Sequence, residues 1–334
     1  MNAPTTVALT RGQQRSSTSA PDSARRTALE INAALDAKFM LFSGVQAIVE
    51  ELELSLATSK HGGTPRHLAI LGPSGVGKTA LLHYFLRRHP RVEEEERTFI
   101  PVLLAQMPAT PTRIRILQAL VAAFDPKLVV NKDEAKLTSQ VQTLCDACGV
   151  RMVLFDESSH MVDRGRERTH YLVGDALKTI VDELGRPFVL VGIPRLKRLL
   201  DVNEQLRGRF SRHRTLQPFT LADPGQAREF RGAVAGFAEE IKGIECIELT
   251  GEQVLPLLYL SCNGYLRPMV DLLKEAVNLA LKKRGGVISM TTLAVAFSGA
   301  LGEGLADCRN PFSPSFDGYP LINEGEPYAP TERG

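Results

Sequence analysis

No apolar run in this chain of 334 residues approaches the ~20 that span a bilayer, so no transmembrane helix is expected. The N-terminus carries two early arginines and many Ser and Thr, but no apolar core segment, so no secretory signal is expected. Cysteine is scarce: five residues, an odd number spread over the whole length. That usage argues against a disulfide framework and for a reducing cytoplasm. Cys145 and Cys148 form a C-x-x-C, yet no second pair stands at zinc-ligand spacing, so the pair is expected to end a helix. Excess charge is also nearly absent: 40 Lys and Arg against 38 Asp and Glu leave +2, which by itself names no partner. The remaining composition, 43% hydrophobic and 23% charged, is that of an ordinary soluble globular protein with one large domain or two.

Against this background stands one informative run, Gly72-Pro73-Ser74-Gly75-Val76-Gly77-Lys78-Thr79, which fills G-x-x-x-x-G-K-[ST]. In such a loop the backbone N–H groups cradle nucleotide phosphates. Lys78 would reach the β- and γ-phosphates, and Thr79 would place its hydroxyl on Mg²⁺. Chance alone gives the pattern in roughly 1% of chains this long. Here it follows an apolar run, His67-Leu-Ala-Ile-Leu71, and opens a helical one, Ala80–Leu86. That order is what the chemistry requires, because the helix N-terminus must point at the phosphates. A nucleoside triphosphate with Mg²⁺ is the expected ligand.

Composition divides the chain into five parts. Residues 1–24 are rich in Ser, Thr, Pro and Gln and read as a disordered arm. Residues 25–63 carry helical periodicity from Ala28 through Leu41 and again from Val45 to Leu56. Residues 64–221 alternate strand-like runs (Phe99–Leu104, Met152–Phe155, Phe188–Val191, and a last one near Arg214–Leu216) with helical ones at Arg113–Phe124, Ala135–Cys145 and Tyr171–Leu184. This alternation means an α/β domain with a parallel sheet flanked by helices. Residues 222–300 show only helices and form a second, all-helical domain. Residues 301–334 contain acidic residues, prolines and isolated aromatics. They read as a flexible tail, either solvated or a peptide that docks on a partner.

The second nucleotide element should be an acid ending an apolar strand, and Arg151-Met-Val-Leu-Phe-Asp156-Glu157 supplies it. Asp156 would hold Mg²⁺ through water and Glu157 would orient the attacking water. Alone, two acids after a strand could equally cap a helix. Segment 195–214 holds seven basic residues against Asp201 and Glu204, and Arg164, Arg166 and Arg168 add a second cluster. An arginine just before the last core strand can reach a neighbouring subunit's γ-phosphate. Arg209 is the first candidate and Arg207 the second, against the plain reading of a solvated basic loop. The same stripe could neutralise DNA phosphates or form a subunit interface. Arg267, in the first turn of an amphipathic helix, could fold back onto the nucleotide, although an isolated arginine there is ordinarily a surface residue.

Taken in order, these elements resemble an AAA+ ATPase with a P-loop NTPase core and a C-terminal helical lid. More narrowly, residues from about Phe39 to Lys283 resemble the TniB family of bacterial transposon ATPases, similar to TnsC and the phage Mu B protein. The supporting pieces are Phe39–Leu56, Leu68–Thr79, the Pro101–Phe124 stretch, Leu154-Phe-Asp-Glu157 with His160, Leu190–Pro194 and Leu206–Phe210. The resemblance implies a cytoplasmic regulator of transposition that binds double-stranded DNA without sequence preference when loaded with ATP. It would assemble as a homo-oligomeric ring or helical filament and recruit a DDE transposase, with a TniQ-like targeting protein as a further partner. Hydrolysis would disassemble it. By the same resemblance Arg267 would be the lid's "sensor 2", and Thr112, Arg113 and Arg115 join Arg164 and Arg166 as candidate DNA contacts. One position departs from the pattern. AAA+ proteins commonly carry Asn, Thr or Ser as "sensor 1" where this chain has Gly192-Ile193-Pro194. Slow hydrolysis, below about 10 per second, the median for enzymes, is therefore expected.

Three other functions fit parts of the pattern. A replication initiator or helicase loader would share the fold but usually appends a base-reading module, for which little chain remains after Lys283. A signalling NTPase would show no salt-sensitive DNA binding. A small-molecule kinase is opposed by the Asp156-Glu157 pair and the helical lid.

Overall fold

The structure is a computed structural model and describes residues 20–130, 132–163, 167–282 and 286–329. The chain opens with helices α1 (Ala20–Ala37) and α2 (Ser43–Lys60). Strand β1 (Leu68–Leu71), helix α3 (Lys78–Arg88) and a hairpin of β2 (Val92–Glu93) and β3 (Thr98–Phe99) follow. Next come β4 (Val102–Gln106), α4 (Arg113–Phe124), α5 (Glu134–Ala147) and β5 (Met152–Asp156). Helices α6 (His160–Asp163) and α7 (Glu167–Leu184) lead to β6 (Phe188–Gly192), and α8 (Leu196–Val202) and α9 (Glu204–Arg209) to β7 (His213–Thr215). The last helices are α10 (Pro224–Glu240), α11 (Leu255–Cys262), α12 (Leu266–Leu281) and α13 (Met290–Ala300).

Five strands form a parallel sheet in the order β4-β5-β6-β1-β7. The three central strands, β5, β6 and β1, are buried at every position. This is what continuous apolar runs produce when helices cover both faces. Edge strand β7 is largely exposed, and its Arg214, with Arg212 just before it, holds the buried Glu51 of α2 at 2.7 and 3.4 Å. On one face α2 and α3 pack through Ile48, Leu52, Leu81 and Phe85. On the other, α4, α5 and α7 to α9 pack through Leu117, Leu120, Val141, Leu177 and Phe210. Cys145 is buried in that second layer and Cys148 caps α5, the helix-end position expected of the pair.

The strand read at Phe99–Leu104 is divided. Phe99 belongs to the hairpin, Pro101 cannot donate to a ladder, and β4 starts at Val102. The two helices before the sheet also part company. Helix α1 begins at Ala20, inside the stretch assigned to the arm, and packs on the lid with α10 and α12. Helix α2 packs on the sheet. Residues 38–42 cross between them.

The lid core gathers Phe230, Phe237, Leu258, Met269, Leu273, Val277 and Phe297. The tail does not behave as composition suggested. Through residue 329 it folds onto the lid, burying Phe312 and Leu321 in that core. Arg309 organises it, bonding Asp317 at 2.7 and 2.8 Å, Glu326 at 2.5 and 2.9 Å, and the carbonyl of Pro320 at 2.7 Å. Tyr328 stacks on Tyr265 at 5.8 Å and donates its hydroxyl to the carbonyl of Ser261. A polar network of this kind supplies order that apolar content alone would not predict. Arg309→Ala should make residues 301–329 more susceptible to chymotrypsin than in the wild type while the sheet domain stays resistant. Equal cleavage rates would show that the network does not hold the tail.

Candidate nucleotide site

The phosphate loop joins the buried β1 to α3 at the carboxyl edge of the sheet. Its last glycine, Gly77, caps α3 with φ of 102°, a left-handed conformation that costs a side-chain-bearing residue, so the motif's glycine is needed there. The N–H groups of the first turn of α3 thereby face the loop's hollow, an anion-binding arrangement. The Lys78 ammonium donates to the carbonyls of Gly72 and Pro73 at 2.8 and 2.9 Å. Burial holds its pKa below the usual lysine value, opposed by the carboxylates of Asp156 and Glu157.

The acidic pair comes from the end of β5, two strands away. The Thr79 hydroxyl donates to Asp156 Oδ2 at 2.9 Å, and the other carboxylate oxygen accepts from the N–H of Glu157 at 2.8 Å. Asp156 is buried and fixed, whereas Glu157 is exposed toward the cavity. Glu157 has φ of 54°, a left-handed conformation for a non-glycine residue, of the kind that collects at functional sites. The sequence-predicted Lys78, Thr79, Asp156 and Glu157 are thus brought together.

A cavity of ≈ 330 Å³ opens over the loop, lined by Ser74 to Ala80, Glu157 and Arg267. Arg267 lies over the loop, its N–H donating to the carbonyl of Gly75 at 3.3 Å while its guanidinium pairs with Asp271 at 3.0 Å. The apolar half of the cavity was not foreseen. Leu35, Phe39, Met40, Phe42 and Val45 come from α1, the crossing segment and α2, and Phe237 and Val270 from the lid. The signal was the run Phe39-Met-Leu-Phe42, too apolar for an exposed link. Asp36 and Lys38 in the same wall are tied to Lys274 and Glu240 at 2.7 and 2.6 Å.

The other candidates lie elsewhere. Arg209 sits near the amino end of β1, where it forms a bidentate pair with Asp182 of α7 at 2.7 and 3.1 Å. It therefore does not join its own chain's phosphate loop. Arg207 is exposed, 3.7 Å from Glu204. Thr112 caps α4 by accepting from the N–H of Arg115. Arg113 is held by Glu183 at 2.7 Å and Glu134 at 3.1 Å, a brace between helices, while Arg115 is exposed. Arg164 and Arg166 lie outside the described residues. Among the described residues no group of three or more His, Cys, Asp or Glu could hold a metal ion, and no helix is long and apolar enough to cross a membrane.

The strand order, the loop between β1 and α3 and the helical lid make this an AAA+ P-loop NTPase fold. The family model for bacterial TniB protein matches residues 30–220, and the chain belongs to the TniB family. Solved structures share the fold at low identity. The Aeropyrum pernix ORC1 protein in complex with DNA is 18% identical, with a TM-score of 0.59 over 79% of this chain and 66% of that one. Cdc6p from Pyrobaculum aerophilum is 14% identical, with a TM-score of 0.55 over 78% and 68%. The Aeropyrum pernix ORC2 protein with ADPNP and ADP is 19% identical, with a TM-score of 0.54 over 79% and 70%. This chain thus spans about two thirds of the length of each. No curated protein sequence matches it.

His67, beside Arg209, gives the region a pH dependence. Its Nδ1 accepts from the N–H of Phe188 at 3.1 Å, and its ring lies 5.3 Å from that of Phe210. Burial, with help from Arg209 and against Asp182, lowers its pKa from 6.5 to about 4. The unfolded chain then binds the proton first as pH falls. The stability associated with neutral His67 is fully present above pH 6.5 and is lost between there and about 4. Asparagine can still accept from Phe188. His67→Asn should therefore flatten the fall in melting temperature across that window, and an unchanged slope would contradict the assignment.

Proposed function

We propose that this chain is an ATP-hydrolysing switch that binds duplex DNA and regulates transposition. The observation that carries the nucleotide part is the convergence of Lys78, Thr79, Glu157 and Arg267 on one cavity with an apolar wall, with Asp156 bonded to Thr79. The triphosphate lies along the loop against the N–H groups of α3, and the base packs between the crossing segment and the lid. Lys78 exchanges the carbonyls of Gly72 and Pro73 for phosphate oxygens, a charge-assisted and stronger partner.

The residues also fit Mg²⁺. A hydroxyl and a carboxylate oxygen 2.9 Å apart at the loop's mouth are hard oxygen donors, and this cation is usually held by one or two carboxylates plus substrate phosphates. Thr79 and Asp156 would hold it, and when bound it neutralises charge on the phosphates. Glu157 accepts the proton of the attacking water as its oxygen bonds to the γ-phosphorus and the bond to the β-phosphate oxygen breaks. Arg267 senses the phosphates from the lid.

Arg209 acts on a neighbour's nucleotide. Its place near the edge strand, away from its own loop, supports a role in trans within a homo-oligomeric ring or filament. Family membership supports the remaining partners: double-stranded DNA, a DDE transposase and a TniQ-like targeting protein. DNA binding is sequence-blind and driven by phosphates. Hydrolysis is slow because β6 ends at Gly192 and is followed by Ile193-Pro194, without a polar side chain, and it resets the assembly.

Fluorescence anisotropy of a random-sequence duplex tests the DNA part. Binding should require ATP, weaken steeply with salt and vanish in Lys78→Ala; binding absent in every nucleotide state would remove the transposition reading. For hydrolysis, turnover should stay below about 10 per second, and Arg209→Ala should lower it about 10³-fold or more. Mixing Arg209→Ala with Glu157→Gln, each inactive alone, should restore turnover at mixed interfaces. No recovery would mean that Arg209 is not a finger.

A further inference from the structure

The carboxyl end of β6 carries no polar side chain, but a hydroxyl reaches it from another element. Ser159, in the turn between β5 and α6, is 4% exposed, and its Oγ accepts from the N–H of Ile193 at 2.6 Å. A Cβ added to Gly192 would sit 2.6 Å from that oxygen and 3.0 Å from the Ser159 backbone nitrogen. A Cβ does not approach another heavy atom below 3.0 Å, so the two residues are complementary. The strand gives up its side chain at the place where the turn inserts a hydroxyl.

A second stitch lies beside the first. The Ser158 N–H donates to the carbonyl of Val191 at 2.8 Å, so the two residues after Glu157 are tied to Val191 in β6 and to Ile193 just beyond it. The Gly192 carbonyl in turn accepts from the N–H of Gly72 at 3.1 Å, continuing the connection into the phosphate loop. Glu157, with its left-handed backbone, immediately precedes these two anchored residues and follows β5. Such a conformation persists only where the surroundings over-determine it, and the two stitches do so.

We propose that Ser159 is a positioning residue of the hydrolytic centre: its hydroxyl replaces the polar side chain missing from β6 and fixes Glu157 relative to the phosphate loop. The inference rests on the reading of Glu157 as the group that activates water. A displaced carboxylate loses its alignment with the attacking water while the phosphate cradle stays intact. The loss therefore falls on turnover and not on nucleotide affinity.

The test measures single-turnover ATP hydrolysis, affinity for a fluorescent ATP analogue and melting temperature in the full chain. The variants are Ser159→Ala, which removes the hydroxyl, and Ser159→Cys, which replaces it with a larger sulfur that is a poor hydrogen-bond acceptor. Turnover lowered about 10–100-fold with affinity within threefold of wild type supports the proposal. Wild-type turnover in both variants, or affinity and turnover falling together, overturns it. If the alanine variant melts too low to assay, the cysteine variant decides. Glu157→Gln, run alongside, should bind the analogue and not hydrolyse ATP. If it hydrolyses normally, the reading of Glu157 fails, and that result is distinct from any result for Ser159.

Discussion

The site depends on parallel pairing on both sides of β1. Leu68–Leu71 is held by β6 along its whole length and by β7 over Ala69–Leu71, with every one of its side chains buried. Just beyond the strand, the Gly72 N–H donates to the carbonyl of Gly192, and the Leu216 N–H donates to the carbonyl of Leu71. The point where the phosphate loop departs is therefore fixed by neighbours on both sides. This constraint sets where α3 starts, where Lys78 and Thr79 stand, and how far they are from Asp156. Burial of an uninterrupted apolar sheet centre places the polar chemistry at its rim.

The lid is the second determinant of the cavity. Arg267 and Gly75 meet through their backbones, so the first turn of α12 follows the loop whatever the guanidinium does. Tyr265, one residue before that turn, stands where a Cβ on Gly75 would meet its ring, and it also stacks on Tyr328 of the tail. The tail, the lid and the phosphate loop are thus in continuous contact. Between lid and sheet, the crossing segment supplies the apolar wall, with Phe39 stacked on Tyr84 at 4.4 Å and Phe42 edge-on to Phe219 at 4.9 Å.

Where chemistry fixes both residue type and spacing, the sequence was readable. The phosphate loop and Asp156-Glu157 are such cases. So is α4, whose periodicity is clean over Arg113–Phe124, although Thr112, read as a DNA contact, turns out to cap it. Two-residue strands such as β2 and β3 carry no periodicity to read. Helical patterning showed that α1 and α2 exist but could not say that they serve different cores, because that choice is tertiary. The tail was misread because its order comes from one arginine among acids and turns, a composition shared with disordered segments. Ser159 gave no signal of its own. The glycine at the end of β6 was visible, but what fills the space beside it belongs to the three-dimensional structure.

The division between α1 and α2 has a mechanical consequence. The chain passes between sheet and lid twice, at residues 38–42 and again between Thr215 at the end of β7 and Pro224 at the start of α10. A body joined to another by a single tether can tumble, whereas one joined at two separate points swings about the line through them. The lid is therefore hung like a door on two pins. One pin, residues 38–42, forms part of the cavity wall, so the line through the two pins runs beside the cavity.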